Sequence, residues 1–319
     1  MTRNVTLSAI QPAWPRHEAG LSPADMKHRN VDDALCWLEE AGRRGSDIVC
    51  LPETFTDNGI PARDLPADQV AALVEDVHGP TVRCLAELAQ RYRMHIIAPM
   101  HRRDGSVTLN SAVVLDRRGE VAGTYDKVHP TRAEMGAPYY VRPGAGFNVV
   151  RLDFGTIGIL ICHDNSFVES ARCLALNGAE VIFWPHVQSG WGDIVWDITL
   201  RSRAIDNGVW LVSSCYSVRG EGAWKPGMMV GRSGIVGQDG FILAEMARDV
   251  GVATCSVDLD ELRQVHSWTR SGEFPYRHEY LQDRRPDAYG VITRSKAKLD
   301  RPEEQEHSED IGALAGVPV

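Results

Sequence analysis

The chain has 319 residues, 43% of them hydrophobic and 24% charged, with a formal net charge of −9. This length fits one large α/β domain with a sizeable core, and the composition excludes global disorder. The acidic balance argues against a general nucleic-acid binder, which needs excess Lys and Arg, and no apolar run is long enough to span a bilayer. Val5 to Ile10 alternates apolar and small polar residues as a strand does, and Val31, Ala34, Leu35, Leu38 and Ala41 follow at helical spacing. Asp47 to Leu51 reads as a short buried strand. A second helix carries Val82, Leu85, Leu88 and Ala89, and His95 to Ala98 returns as a strand. Ser111 to Leu115 and Glu120 to Tyr125 flank Arg117-Arg118-Gly119 as a hairpin would.

The second half repeats this style. Gly155 to Ile161 is a predicted strand, Phe167 to Leu176 a helix, Val181 to Trp184 a strand, Asp193 to Asn207 a helix and Val209 to Ser213 a strand. Ser233 to Val236 and Phe241 to Glu245 flank the turn Gln238-Asp239-Gly240. Gly251 to Val257 is a further strand and Asp258 to His266 a predicted short helix. Such mixed units predict a layered α/β domain over 1–282. Residues 283–319 read as a tail, polar and acidic from Ser295 onward, either disordered or lying as an arm on a partner subunit. Met1 to Ile10 has one Arg and no long apolar stretch, so no secretory signal is read there. The seven cysteines are scattered and form no CxxC pair. They read as free thiols of a reducing, cytoplasmic protein, most of them as small core residues.

Three segments share one design: an apolar strand ending in a reactive side chain. They are Ile48-Val49-Cys50-Leu51-Pro52-Glu53, Gly123-Thr124-Tyr125-Asp126-Lys127 and Gly158-Ile159-Leu160-Ile161-Cys162. Strand ends are where a rigid sheet presents reactive groups at one edge. Taken singly, Cys162 reads as a core cysteine, Glu53 as a cap and Lys127 as a solvated charge. Taken together, they supply a nucleophile, a general base and a fixed positive charge for an oxyanion. A helix N-terminus following Cys162 would favour its thiolate.

In these motifs the sequence resembles the nitrilase superfamily of carbon–nitrogen hydrolases, over Val5 to about Val257. Leu51-Pro52-Glu53, Tyr125-Asp126-Lys127-Val128-His129 and the run from Cys162 to Glu169 stand where that family carries its glutamate, lysine and cysteine. Val168 replaces the family's usual proline. Asn110-Ser111-Ala112, Arg142-Pro143-Gly144, Arg203-Ala204-Ile205-Asp206-Asn207 and Gly231-Arg232-Ser233 follow in family order. Ser214-Cys215-Tyr216 departs from the family's common asparagine nearby.

The resemblance implies a four-layer α-β-β-α sandwich, a Glu53–Lys127–Cys162 triad and a homodimer or larger homo-oligomer. It also implies hydrolysis of a small amide or N-carbamoyl compound through a thioester, with no cofactor. His163-Asp164 after the nucleophile looks more like the amidase and carbamoylase branches than like true nitrilases. Nitrile hydrolysis is the alternative, and a non-hydrolytic acyl-transferring or binding relative is a second. Glu134, seven residues after Lys127, is a candidate second carboxylate of the site. Asp164 is expected to cap the following helix. Tyr140, His163, His186, Gln188 and Trp191 are candidates to line the substrate pocket. Cys162, His163 and His186 match no usual zinc spacing, so no metal is expected.

Overall fold

The computed structural model describes residues 3–15, 20–187, 195–217, 231–261, 264–266 and 273–294. The chain divides into two compact units, Met1–Gln282 and Asp283–Val319. In the second, the described residues 283–294 contain one 3-10 turn, Pro286–Ala288.

The first unit holds two six-stranded mixed sheets. One has the order β12-β1-β2-β3-β4-β5, where β1 is Asn4–Gln11, β2 Ile48–Cys50, β3 His95–Asp104, β4 Val107–Leu115, β5 Val121–Asp126 and β12 Gly251–Asp258. The other has the order β11-β10-β9-β8-β7-β6, where β6 is Val149–Arg151, β7 Thr156–Ile159, β8 Val181–Pro185, β9 Trp210–Ser214, β10 Gly234–Val236 and β11 Ile242–Glu245. In each sheet three strands are parallel (β1, β2, β3 and β7, β8, β9), and the rest pair antiparallel.

Side-chain alternation dictates the layering. Val5, Leu7 and Ala9 on β1, Ile97 on β3, and Val181 and Phe183 on β8 share one core between the sheets. Their neighbours of opposite parity face outward. Ile10, Val49, Ile96 and Met100 meet Leu38 of α1 (Pro23–Arg43) and Leu85 of α3 (Pro80–Tyr92). Ile182 and Trp184 meet Leu174 of α5 (Val168–Leu176) and Ala204 of α6 (Arg201–Asn207). The result is the α-β-β-α sandwich. Short helices α2 (Ala67–Leu73), α4 (Arg132–Met135) and α7 (Tyr276–Gln282) complete the set.

Several expectations are corrected. Among the described residues of 258–266 there is no helix: β12 runs to Asp258, and Gln264–His266 forms β13 against β14 (Glu273–Pro275), while residues 262–263 lie outside the described set. That pairing partner lies several residues further on, beyond the reach of a local helical pattern. The helix expected over 193–207 is a wide π turn, Val195–Leu200, leading into α6; residues 193–194 lie outside the described set. Strand β3 continues through polar His101-Arg102-Arg103-Asp104 and turns at Gly105 into β4, a hairpin that hydrophobic patterning passes over. All seven cysteines are free, but only Cys50 and Cys215 are buried, while Cys36 and Cys84 are exposed.

Candidate active site

The sheets bring the three predicted strand ends to one region. β5 is antiparallel to β4, itself antiparallel to β3, so β5 and β2 end on the same edge. Glu53 follows β2 in a turn held by Asn58, whose Nδ2 donates to the Glu53 carbonyl oxygen at 2.8 Å. Tyr216 Oη donates to the same oxygen at 3.2 Å. Lys127 follows β5, and its N–H donates to the Asn110 carbonyl at 2.9 Å. Gly144 N–H donates in turn to the Lys127 carbonyl at 2.8 Å. A Cβ at Gly144 would collide with the Asp126 carbonyl, so this crossing requires glycine.

Lys127 is almost wholly buried. Its Nζ donates to Glu53 Oε1 at 2.8 Å and to both Glu134 oxygens at 2.9 Å. Asn110 Nδ2 donates to Glu53 Oε1 and to Glu134 Oε1, each at 2.8 Å. Glu134 is also the third residue of α4. Its Oε2 accepts the Thr131 N–H at 2.7 Å while Thr131 Oγ1 accepts the Glu134 N–H, a reciprocal cap that fixes the carboxylate. Burial lowers the Lys127 pKa, but Glu53, Cys162 and Glu134 together hold it above the ordinary lysine value. Burial likewise favours a neutral Glu134, but Lys127, the Thr131 N–H and Asn110 together hold Glu134 below the usual carboxylate range.

Cys162 is half-buried and stands at φ +45°, an uncommon backbone for a non-glycine residue. It opens a 3-10 turn, Cys162–Ser166, ahead of α5. The Trp184 Nε1–H donates to its carbonyl oxygen at 2.9 Å. Val187 connects it to the carboxylates: the Val187 N–H donates to Glu53 Oε2 at 3.0 Å, and its carbonyl lies 3.9 Å from Cys162 Sγ. Burial and the Glu53 charge push the thiol well above its ordinary pKa, with Lys127 pulling the other way. A 3-10 turn separates Cys162 from α5, which begins at Val168, so the expected helix N-terminus does not stand directly behind the thiol.

Asp164 differs from its expected role. Its fully buried carboxylate accepts from Tyr125 Oη (2.8 Å) and the Ile161 N–H (3.0 Å) through Oδ2. Through Oδ1 it accepts from the His129 N–H and Nδ1, both at 2.9 Å. It ties the lysine strand to the cysteine turn and leaves the start of α5 without a side-chain cap.

Of the other candidates, His163 stays beside Cys162 and the rest are dispersed. His163 has Nδ1 3.3 Å from Ser166 Oγ. His186 is buried, stacked on Trp184 at 3.7 Å and bonded to Ser213 Oγ at 2.9 Å. Burial pushes its pKa down to about 3, so it stands as a neutral ring on the helix-covered side of the second sheet. Tyr140 is exposed and lines a groove beside Arg103 and Arg142. Gln188 and Trp191 lie outside the described residues. Among the described residues, no cluster of three or more His, Cys, Asp or Glu side chains could hold a metal ion. Sequence reading assigned no role to Asn110, the Val187 backbone or the Asp164 network. Asn110, Tyr125, His129 and Asp164 all stand in the ordered motifs, which gave no sign of the bonds they make.

The family model for carbon–nitrogen hydrolase matches residues 7–267. A "hydrolase in pqqF 5′ region" of Pseudomonas protegens is 30% identical over 302 residues, covering 90% of this chain and 99% of its own. The N-carbamoylputrescine amidase of Oryza sativa is 30% identical over 285 residues, covering 84% and 90%. Among solved structures, a glutamate-to-glutamine mutant of the amidase from Nesterenkonia sp. AN1 superposes with a TM-score of 0.69 at 21% identity, covering 90% and 96%. That mutant carries the acetamide moiety of fluoroacetamide covalently on its active-site cysteine.

Proposed function

The chain belongs to the carbon–nitrogen hydrolase family, as a hydrolase of carbon–nitrogen bonds other than peptide bonds, and we propose that it cleaves a small amide or N-carbamoyl compound through a thioester on Cys162. The observation that carries this reading is the buried Lys127 ammonium held between Glu53 and Glu134, with the Val187 peptide linking Glu53 to the thiol.

In the proposed reaction Cys162 Sγ attacks the carbonyl carbon and its proton passes to Glu53. Proton removal by Glu53 accompanies attack. The oxyanion is met by the Lys127 ammonium, with the His163 N–H as a second donor. Collapse breaks the C–N bond, and Glu53 returns the proton to the leaving nitrogen as ammonia departs. Water, deprotonated by Glu53, then cleaves the thioester and the thiol regains its proton. With an N-carbamoyl substrate, carbon dioxide is released as well. Glu134 and Asn110 hold Lys127 and Glu53 in place. The cysteine of the Nesterenkonia amidase takes up the acetamide moiety of fluoroacetamide, a sign of a nucleophilic thiol there though the bond formed is not a thioester.

The proposal extends to a cytoplasmic homo-oligomer, with light scattering expected to give at least twice the 35.3 kDa chain mass. Activity is tested by ammonia release from a panel of amides, ureido acids and nitriles. The wild type should release ammonia from at least one amide or ureido acid. Cys162→Ala should lower that rate by about 10³-fold or more with an unchanged circular dichroism spectrum. Retained turnover in Cys162→Ala would remove the nucleophile assignment.

A further inference from the structure

A groove of about 660 Å³ lies beside the carboxylate cluster, and its charge is of one sign. Arg63, Arg103 and Arg142 line it, and among the described residues no carboxylate does. This is unusual in a chain with 43 acidic against 34 basic residues. Arg43, Arg44, Arg91, Arg102, Arg117 and Arg118 all pair with acids. Arg63, Arg103 and Arg142 make no ion pair among the described residues. Asp104 is engaged with Arg102, Asp57 with His101 and Glu134 with Lys127, and Asp64, next to Arg63, is exposed and lies outside the groove lining.

The sheet register fixes the groove's position. His101 and Asn110 are cross-strand partners, and Arg103 and Thr108 are the next pair on the same face. Asn110 touches both Glu53 and Glu134, while Arg103 and Thr108 line the groove. Two residues of strand separate them, about 7 Å. The wall between is Tyr139, stacked on His101 at 4.0 Å. Tyr140, at φ +49° and 63% exposed, adds an aromatic face. The Arg142 N–H donates to the Thr108 carbonyl at 2.9 Å, which anchors that edge to β4.

Guanidinium groups present planar forks of donors that match carboxylate and phosphate oxygens. Three of them around one concavity focus a positive field that a multivalent anion meets at several points. The volume is that of a small-molecule site and exceeds the needs of a single inorganic ion. We propose that this groove binds a small multivalent oxyanion, an oligocarboxylate or a phosphate ester, through Arg63, Arg103 and Arg142. The site goes beyond amide hydrolysis, and its binding requires no turnover. The anion is either the distal end of a substrate or a separate effector, and both present the same chemistry to the groove.

Calorimetric titration of the full chain with citrate, inorganic pyrophosphate and acetate tests the site. Citrate and pyrophosphate should bind at least tenfold tighter than acetate, and more weakly as salt rises. The triple variant Arg63→Gln, Arg103→Gln, Arg142→Gln should weaken both at least tenfold while hydrolysing a small neutral amide like the wild type. A kinetic arm separates the two sources. Pyrophosphate that raises KM only for an amide with a distal phosphonate marks the groove as a substrate subsite. Pyrophosphate that binds without such competition marks a separate ligand. Equal binding of acetate and pyrophosphate, or undiminished binding by the triple variant, would overturn the site. A protein that binds pyrophosphate yet cleaves no amide would refute the hydrolytic proposal and leave the groove assignment standing.

Discussion

At Glu134 a single carboxylate carries both the geometry and the pH response of the cluster. Its folded pKa is depressed, so its contribution to stability is complete above the unfolded value of about 4.3 and is lost as pH falls through the folded value. The melting temperature should therefore decline on acidification below about pH 4, and Glu134→Gln should flatten that limb. An unchanged acid limb in the variant would argue against a charged, lysine-bound Glu134. Cys162 supplies a second residue-scale test. Because the Glu53 charge helps raise the thiol pKa, Glu53→Gln should move the pH midpoint of Cys162 alkylation by iodoacetamide downward, even as turnover is lost. A midpoint that stays or rises would place Glu53 too far from the sulfur to act as its base. Glu53, Lys127 and Cys162 were legible in the sequence because each ends a short apolar strand. The Val187 peptide was not, since a backbone contact with Glu53 leaves no trace in residue identity.

Among the elements, the cysteine turn and the end of β5 come from different sheets and are joined through Asp164. Asp164→Asn keeps the size and removes the charge, leaving one oxygen where two accepted four hydrogen bonds. The expected cost is about 1–3 kcal/mol of stability. Because Asp164 acts through the position of Cys162 and Lys127, kcat should fall at least tenfold with little change in KM. A pure KM effect, or an unaltered kcat, would reduce Asp164 to a structural residue. This network lay hidden because its partners Tyr125 and Asp164 stand 39 residues apart. The resulting bonds depend on how two sheets pack, whereas the sequence showed Tyr125, His129 and Asp164 only as members of two separate motifs. The β3–β4 hairpin was missed for a related reason: buried His101 and Arg102 are satisfied by Asp57, Ser111 and Asp126, so polar residues occupy strand interior. The glycine in Arg142-Pro143-Gly144 was visible as a motif, but its reason, the close crossing of Asp126, required the fold.

For the molecule as a whole, the core between the sheets sets the relation of two half-sites. Glu53 and Lys127 belong to the first sheet, and Cys162 to the second. Phe183 is fully buried in that core, one residue before the Trp184 that holds the Cys162 carbonyl. Phe183→Ala should cost about 3–5 kcal/mol, read from the denaturant midpoint. It should also reduce turnover although Phe183 touches no substrate. A loss below about 1 kcal/mol would mean that the two sheets do not depend on this core as packed. The layered class was legible because strand and helix periods alternate along most of the chain. The pairing of β13 with β14 was not, because it joins segments separated by a connection that local patterning cannot bridge.

The most direct measurement of the central claim is peptide mass spectrometry of the acid-quenched enzyme during turnover of a small amide. The substrate's acyl mass is expected on the peptide carrying Cys162 and on no other cysteine, with adduct and turnover both abolished in Cys162→Ala. Turnover without a Cys162 adduct in the wild type, persisting in Cys162→Ala, would contradict it.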